Sequence, residues 1–592
     1  MKTKFSGILT LLLALVVQIS FAQEKTISGT VTDDSGLPLP GVNIIVKSTT
    51  NGTQSDFDGN YSISTEVGQS LVYSYVGFDS QEKLVTASSS MMNVTMAQGE
   101  TLDAVVLTGY GGATKERKSL GYAVTTLQAD EIENKPESDV VRSLNGKVAG
   151  VQIVGNSGAT GSGTNFVIRG RSSINGSNQP LFIVDGVPFD SGTNQQTGFG
   201  GGNTVTSSRF LDLDPNNVES VQILKGLSAS VLYGQQGRNG VVLITTKNGS
   251  NQDLNKKFEV TVNSSVYQTQ ISNLADYQNE YGQGADNTIN SGYVGNWGAR
   301  FDAGLEVSHP YASFGNLFPE YDGLKIPYVA AENNVKDFFR TGLGQSMSVN
   351  VAGSPGNDGN TRYNLNFGYT TEDGYIRNNG LTRYNIGLGG STKLSNKFSF
   401  NGTANFSSTR VNTPPIAANN AGGALSIFTR TLFMPRNLDL NNIPYENPND
   451  RSSVYYRTDQ ENPRWLSNYA GSEQKTNRFY GKLGASYEIS ENTSVSYRFG
   501  LDTYNETQEF KAARGSVTAP YTTGYLRTTS GTNFIYDHNL NFSFNNIELA
   551  DEFSLTTQLG FNARRDTYEQ FGQSSQNQVV FGFFDHDNFI DQ

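Results

Sequence analysis

The side chains that do most protein chemistry are scarce in this chain. Histidine occurs only as His309, His538 and His586, and cysteine does not occur. The histidines lie far apart and none sits in a His-x-x-Glu pairing, so no zinc site can be assembled from neighbouring ligands. Without cysteine there is neither a thiol nucleophile nor a disulfide. The densest acidic turn, Asp56-Phe-Asp-Gly-Asn60, lacks the further spaced carboxylates of a calcium loop, and Asp-Gly is the ordinary tight-turn pair. No Gly-x-x-x-x-Gly-Lys phosphate loop is present, and no nucleophile triad stands out. The sequence gives no grounds for an enzyme, a cofactor or a metal.

What remains is the chemistry of an exposed backbone. Leu102, Asp103, Ala104, Val105, Val106, Leu107 and Thr108 form a β-prone stretch that ends in glycines and precedes the charged Lys115-Glu-Arg-Lys118. An extended segment between two domains can lend its edge to a partner, with affinity from backbone hydrogen bonds and specificity from alternate side chains. It can equally be the last strand of the domain before it.

The elements around this segment set its compartment. Lys2 and Lys4 precede an apolar run over 8–19, and Ser20-Phe21-Ala22 offers small residues for a signal peptidase, so 1–22 reads as a signal peptide. The run is shorter than the ~20 residues that span a bilayer. With a mean hydropathy of -0.43, later membrane contact would have to use alternating strands. The net charge of -12 disfavours nucleic acid, whose phosphates need a basic surface. Gly 64, Tyr 29 and Phe 34 describe a β-rich, turn-rich chain.

Residues 23–99 carry short strand-like runs separated by turn clusters such as Asp33-Asp-Ser-Gly36 and read as a small β-sandwich. Its Gly29, Asp33, Gly36, Pro38 and Gly41-Val42 resemble the carboxypeptidase regulatory-like pattern. After the linker 100–118, residues 119–249 mix helical spacing at Val140, Leu144 and Val148 with apolar strands, which predicts an α/β domain with a short helix over 227–233. From 250 to 592 the pattern becomes long alternation. Tyr363, Leu365, Phe367 and Tyr369 share one face, while Arg362, Asn364, Asn366 and Gly368 share the other. Tight turns at 395–397, 490–493 and 550–552 contrast with long polar stretches at 407–477 and 504–533. Short turns at one rim and long loops at the other predict a transmembrane antiparallel β-barrel.

In this order the domains resemble the SusC/RagA family of TonB-dependent outer-membrane transporters. The resemblance is carried by Leu144-Asn-Gly-Lys-Val-Ala-Gly-Val-Gln152, Ile168-Arg-Gly-Arg-Ser-Ser173, Pro180-Leu-Phe-Ile-Val-Asp-Gly-Val-Pro188 and Val218-Glu-Ser-Val-Gln-Ile-Leu-Lys225. Tyr233-Gly-Gln-Gln-Gly-Arg-Asn-Gly240, running into Val241–Lys247, adds to it. The resemblance implies that 119–249 is a plug and that 102–108 is a TonB-box-like coupling segment, with Ala104 where an acidic residue is usual. It also implies a periplasmic place for the sandwich and coupling segment. The implied partners are TonB of the TonB-ExbB-ExbD complex, a SusD-like surface lipoprotein, outer-membrane lipid, and an oligosaccharide or peptide substrate.

Arg169, Arg171, Asp185, Glu219, Lys225 and Arg238 stand beside the plug's apolar strands. Unpaired charge inside a closed lumen is costly, so these residues are expected to form ion pairs with one another and with the barrel wall. Family barrels are large, and the residues after 250 are too few for one, so an incomplete barrel and a truncated chain are expected. Trp297, Tyr455, Tyr456 and Trp465 are conceivable sugar-stacking or interfacial positions, and no substrate site is assigned. A siderophore or cobalamin receptor and a non-transporting surface adhesin are the alternative functions.

Overall fold

In a computed structural model, residues 24–592 are described except 34–35, 48, 50, 76–77, 79–80, 97–104, 109–112, 117–123, 134, 136, 156, 175–176, 193–206, 227–228, 230, 232, 250–257, 356–359, 396, 417–424 and 551–552. The signal-peptide reading therefore lies outside the described residues. The chain divides into two compact units, one ending at Val106 and the other carrying Gly121–Gln592, with the intervening linker shared between them.

The first unit is a two-sheet sandwich. Glu24–Asp33 pairs antiparallel with Asn60–Glu66 and parallel with Val94–Met96. The second sheet runs in the order Gly52–Gln54, Asn43–Val46, Ser70–Ser74, Gln81–Leu84. Alternation does the sorting: Asn60–Glu66 buries Tyr61, Ile63 and Thr65 and exposes the residues between them, or nearly so. Ile27, Val31, Ile44 and Leu71 meet in its core. Tyr61 and Tyr73 share a hydrogen bond of 2.5 Å, and the Tyr61 hydroxyl also lies 2.8 Å from the Met92 carbonyl. The Asp56 carboxylate accepts the backbone N–H groups of Asp58 at 3.0 Å and Asn60 at 2.8 Å, the geometry of a tight turn. In the linker, Val105–Thr108 is a strand that pairs with Ala113–Glu116 in a two-stranded sheet of its own. Leu102, Asp103 and Ala104 lie outside the described residues.

The second unit holds a small mixed sheet against a large antiparallel one. The small sheet has the order Val124–Gln128, Val218–Leu224, Val241–Thr246, Leu181–Val184, Val187–Phe189. Its near-continuous apolar strands are buried on both faces, as Val241–Thr246 shows, and they pack with Val140, Leu144 and Val148. Those three residues are buried as their spacing suggests, but their segment is a 3₁₀ turn at Arg142–Leu144 instead of a helix. Glycines at 146 and 150, both at positive φ, end the helical path. Ala229, Val231 and Tyr233 are helical, and the other residues of the expected 227–233 helix lie outside the described residues.

Ten strands form the wall, each paired with its sequence neighbour: Glu259–Thr269, Gly342–Gly353, Thr361–Asp373, Gly380–Lys393, Phe398–Thr413, Ala470–Ser490, Thr493–Ala512, Tyr525–Ala550, Phe553–Gln578 and Phe589–Asp591. Among the described residues the first and last are not joined, so the sheet is an incomplete β-barrel. The alternation holds. Leu365 and Phe367 are 46% and 47% exposed on the outer face, whereas Asn364 and Asn366 are 3% exposed on the inner one. The strands outrun the expected loops. Thr493–Ala512 and Tyr525–Ala550 take up most of the polar stretch 504–533, leaving a connection over 513–524. At 20 and 26 residues they exceed the ~9–11 needed to cross a bilayer and continue past its surface at the long-loop rim.

At that rim the long connections build a core of their own around Trp465, Tyr455, Tyr311 and Leu440. Trp465 is 0% exposed and its indole N–H donates to the Arg451 carbonyl at 2.9 Å. Tyr455 and Tyr456 are buried beside it, so three of the four residues given as conceivable stacking or interfacial positions are packing residues, and of the four only Trp297, 72% exposed, lies on the surface.

Candidate functional site

The site is the seam between the small sheet and the inner face of the wall, with the cavity above it. Two local features bring the small sheet close. Asp185 and Gly186, at φ 52° and 84°, make the tight turn joining Leu181–Val184 to Val187–Phe189, a turn that needs two left-handed residues. On the wall, Gly368 faces inward where a Cβ would press on the Asn385 carboxamide and the Asp214 carboxylate, so a side chain there would have to displace them.

The strongest contacts are charged and fully buried. Arg478, 0% exposed on the wall strand Ala470–Ser490, donates to both Asp502 oxygens at 2.7 and 2.6 Å. Its remaining reach goes to the small-sheet domain, with Asp212 at 3.3 Å, the Asp190 carbonyl at 3.0 Å and the Phe189 ring 3.3 Å below it. Arg209 crosses the other way, to Glu506 at 3.2 Å and the Thr476 hydroxyl at 2.9 Å. Asp190 closes the group, because its N–H donates to Asp502 at 3.0 Å and its carboxylate accepts the Tyr504 hydroxyl at 2.6 Å. Further along, Arg383 from the wall caps the carbonyls of Ser138, Leu211 and Leu213 at 2.7, 3.0 and 3.1 Å. Buried ions are tolerated only when paired and hydrogen-bonded in this way.

Of the six ionisable residues named from sequence, Asp185 alone is buried. It accepts Thr246 N–H and hydroxyl at 2.9 and 2.6 Å and reaches the wall through the Thr403 hydroxyl at 2.8 Å, a neutral partner instead of the cation expected. Lys225 donates to the Ala149 carbonyl at 2.8 Å. Arg169, Arg171 and Arg238 are exposed, and Glu219 is half-buried. Among the described residues, the plug ions that pair with wall ions are Arg209, Asp212 and Asp214, which sequence reasoning passed over. The signal was available in Arg209-Phe-Leu-Asp-Leu-Asp214, three charges at short spacing among apolar residues.

Above the seam, toward the long-loop rim, lies a cavity of about 1080 Å³. Its floor includes Gln235, Gln236 and Arg238, and its wall includes Tyr504, Tyr525 and Arg527. Among the described residues, no group of three or more His, Cys, Asp or Glu is placed to hold a metal ion.

Comparison with known proteins matches this organisation. Residues 116–241 match the TonB-dependent Receptor Plug Domain, and residues 27–107 match the CarboxypepD_reg-like domain. The TonB-dependent receptor SusC of Bacteroides thetaiotaomicron is 37% identical over 249 residues, 42% of this chain and 23% of that receptor. The TonB-dependent receptor P3 of Formosa agariphila is 33% identical over 341 residues, 55% of this chain and 32% of that receptor. Among solved structures, the RagAB peptide importer in its open-open state superposes with a TM-score of 0.62 at 20% identity, covering 82% of this chain and 51% of that one. The small sheet and its loops are thus a plug, and the class is that of the TonB-dependent receptors. The sandwich ahead of the plug and the SusC relatives support a SusC/RagA-type receptor, and the RagAB chain shares the fold. The matched stretches span less than a third of the length of the curated relatives named here and about half of the RagAB chain.

Proposed function

We propose that this chain takes part in active import of a nutrient, an oligosaccharide or peptide, across the outer membrane, with the plug remodelled through TonB. The carrying observation is the charged seam beneath a cavity: Arg478 and Arg209 hold the plug to the wall while about 1080 Å³ stays open above it. That arrangement binds cargo on one side of a removable obstruction. The long-loop rim faces the exterior and receives a SusD-like lipoprotein lid. The sandwich and linker face the periplasm, after removal of a signal peptide at 1–22.

Leu102–Thr108 is the coupling segment in this reading. Its described part, Val105–Thr108, is already extended, so strand addition to TonB needs no change of backbone class. The plug match and the SusC relatives support this reading over a non-transporting adhesin. Deleting 102–108 should abolish uptake of labelled substrate by cells while leaving its surface binding intact. Uptake that survives the deletion refutes the coupling role.

A further inference from the structure

The charges lining the cavity fall into two groups. Four carboxylates face it, and each is engaged. Asp190 belongs to the seam through Tyr504 and the Gly192 N–H. Glu473 accepts Arg410 at 2.9 and 2.7 Å, and Glu509 accepts Lys511 at 2.9 Å. Asp566 accepts Arg564 at 2.6 and 2.5 Å, and Arg564 also donates to Gln236 at 2.9 Å, so that guanidinium is spent.

Two cations are left. Arg238 on the plug and Arg527 on the wall are exposed within the cavity, and among the described residues no carboxylate pairs with either. The plug stretch 193–206 contains no acidic residue in its sequence. In a chain of net charge -12, the uncommitted charge of this one cavity is positive. A guanidinium presents a planar fork of donors that matches a carboxylate or sulfate. Around the two arginines the cavity offers aromatic rings, among them the mutually packed Phe510, Tyr521 and Tyr525 with centroids 5.3 to 6.0 Å apart. It also offers carboxamides such as Gln235, Gln508 and Asn533. Flat rings suit the C–H faces of sugar rings, and carboxamides serve hydroxyls as both donors and acceptors.

We propose that the cavity takes an anionic oligosaccharide, bearing carboxylate or sulfate groups, with Arg238 and Arg527 as its anion-recognising pair. The assignment rests on the import reading and narrows it. The test uses the receptor purified from outer membranes in detergent, with calorimetric titration of four probes: tetragalacturonate, a sulfated neocarratetraose, maltotetraose and tetraglutamate. One of the two acidic sugars should bind at least about tenfold tighter than maltotetraose and tetraglutamate. Which of the two does so tells carboxylate from sulfate. That preference should shrink between about 50 and 500 mM salt. In Arg238→Gln/Arg527→Gln, it should fall to within about threefold while residual sugar binding persists.

Maltotetraose or tetraglutamate binding as tightly, no probe binding, or a preference that survives the double substitution overturns the assignment. These outcomes leave the import reading intact. That reading fails separately, if cells lacking 102–108 still take up substrate.

Discussion

Replacing Arg478 by methionine tests whether charge balance holds the plug in the wall. The group around it contains two cations, Arg209 and Arg478, and four acids, Asp190, Asp212, Asp502 and Glu506. Methionine fills most of the arginine's volume, so the loss is electrical and not a cavity. Without Arg478, Asp502 loses both of its guanidinium bonds and stays buried at 1% exposure. Removing one partner of a buried pair costs about 3–5 kcal/mol, a factor of roughly 10²–10⁴ in the equilibrium between seated and released plug.

Asp212→Asn changes the same cluster in the opposite sense. It removes a surplus negative charge and keeps an oxygen 3.3 Å from Arg478, so the expected cost is within about 1.5 kcal/mol. The assay is urea-induced exposure of a single cysteine placed at Val221, fully buried on a plug strand and the only thiol in a chain with Cys 0. Labelling midpoints are compared between the two variants. Equal shifts for Arg478→Met and Asp212→Asn, or a cost below about 1 kcal/mol for the former, would refute the charge-balance argument.

Two further outcomes concern the rim core. Trp465→Ala should loosen the 414–469 connection by about 3–5 kcal/mol, seen as rapid proteolysis of that connection with the wall strands still protected. Glu461, fully buried at the start of the helix Pro463–Tyr469, has its carboxyl held above the usual range by desolvation, with hydrogen bonds from Ser516 and from Val517 N–H at 2.7 Å pulling it back. A raised folded-state value stabilises the core fully below the unfolded glutamate value of about 4.3 and loses that contribution as pH rises through the folded value. Hydrogen-exchange protection of this connection should therefore decline with rising pH, and Glu461→Gln should flatten the decline. Protection that increases with pH would show the opposite sign of coupling.

Much of the fold was legible because period-two alternation is a local property. The faces of Thr361–Asp373 could be sorted residue by residue, and the apolar stretches quoted at 180–188, 218–225 and 241–247 form plug strands. Weak edge strands such as Gly52–Gln54 and Gln81–Leu84 escaped, since three or four mostly polar residues carry no periodic signal. The loop boundaries were misjudged because Tyr504 to Asn533 is polar along strands that rise past the membrane, where no lipid selects an apolar face. The seam was the least legible part. Arg209 and Glu506 are 297 positions apart, and nothing local marks which charge meets which across such a distance. Tyr455 and Trp465 illustrate the same limit from the apolar side, since an aromatic in a long loop reads as a ligand platform until the loop is seen to have a core.

The inner face of the wall has a mechanical consequence. Away from the two arginine clusters it meets the plug mostly through short neutral groups, with Thr403 on Asp185 and Asn405 on Asn217. Such groups exchange donors and acceptors readily, so sliding by two residues, the spacing of inward-facing side chains on a strand, replaces each contact with a similar one at small net cost. The arginine clusters have no substitute two residues away. The surface thus behaves as a bearing with two detents. Resistance to a pull is concentrated where Arg478 and Arg383 sit, and yielding about 4 kcal/mol over roughly 3 Å corresponds to a force on the order of 100 pN at each.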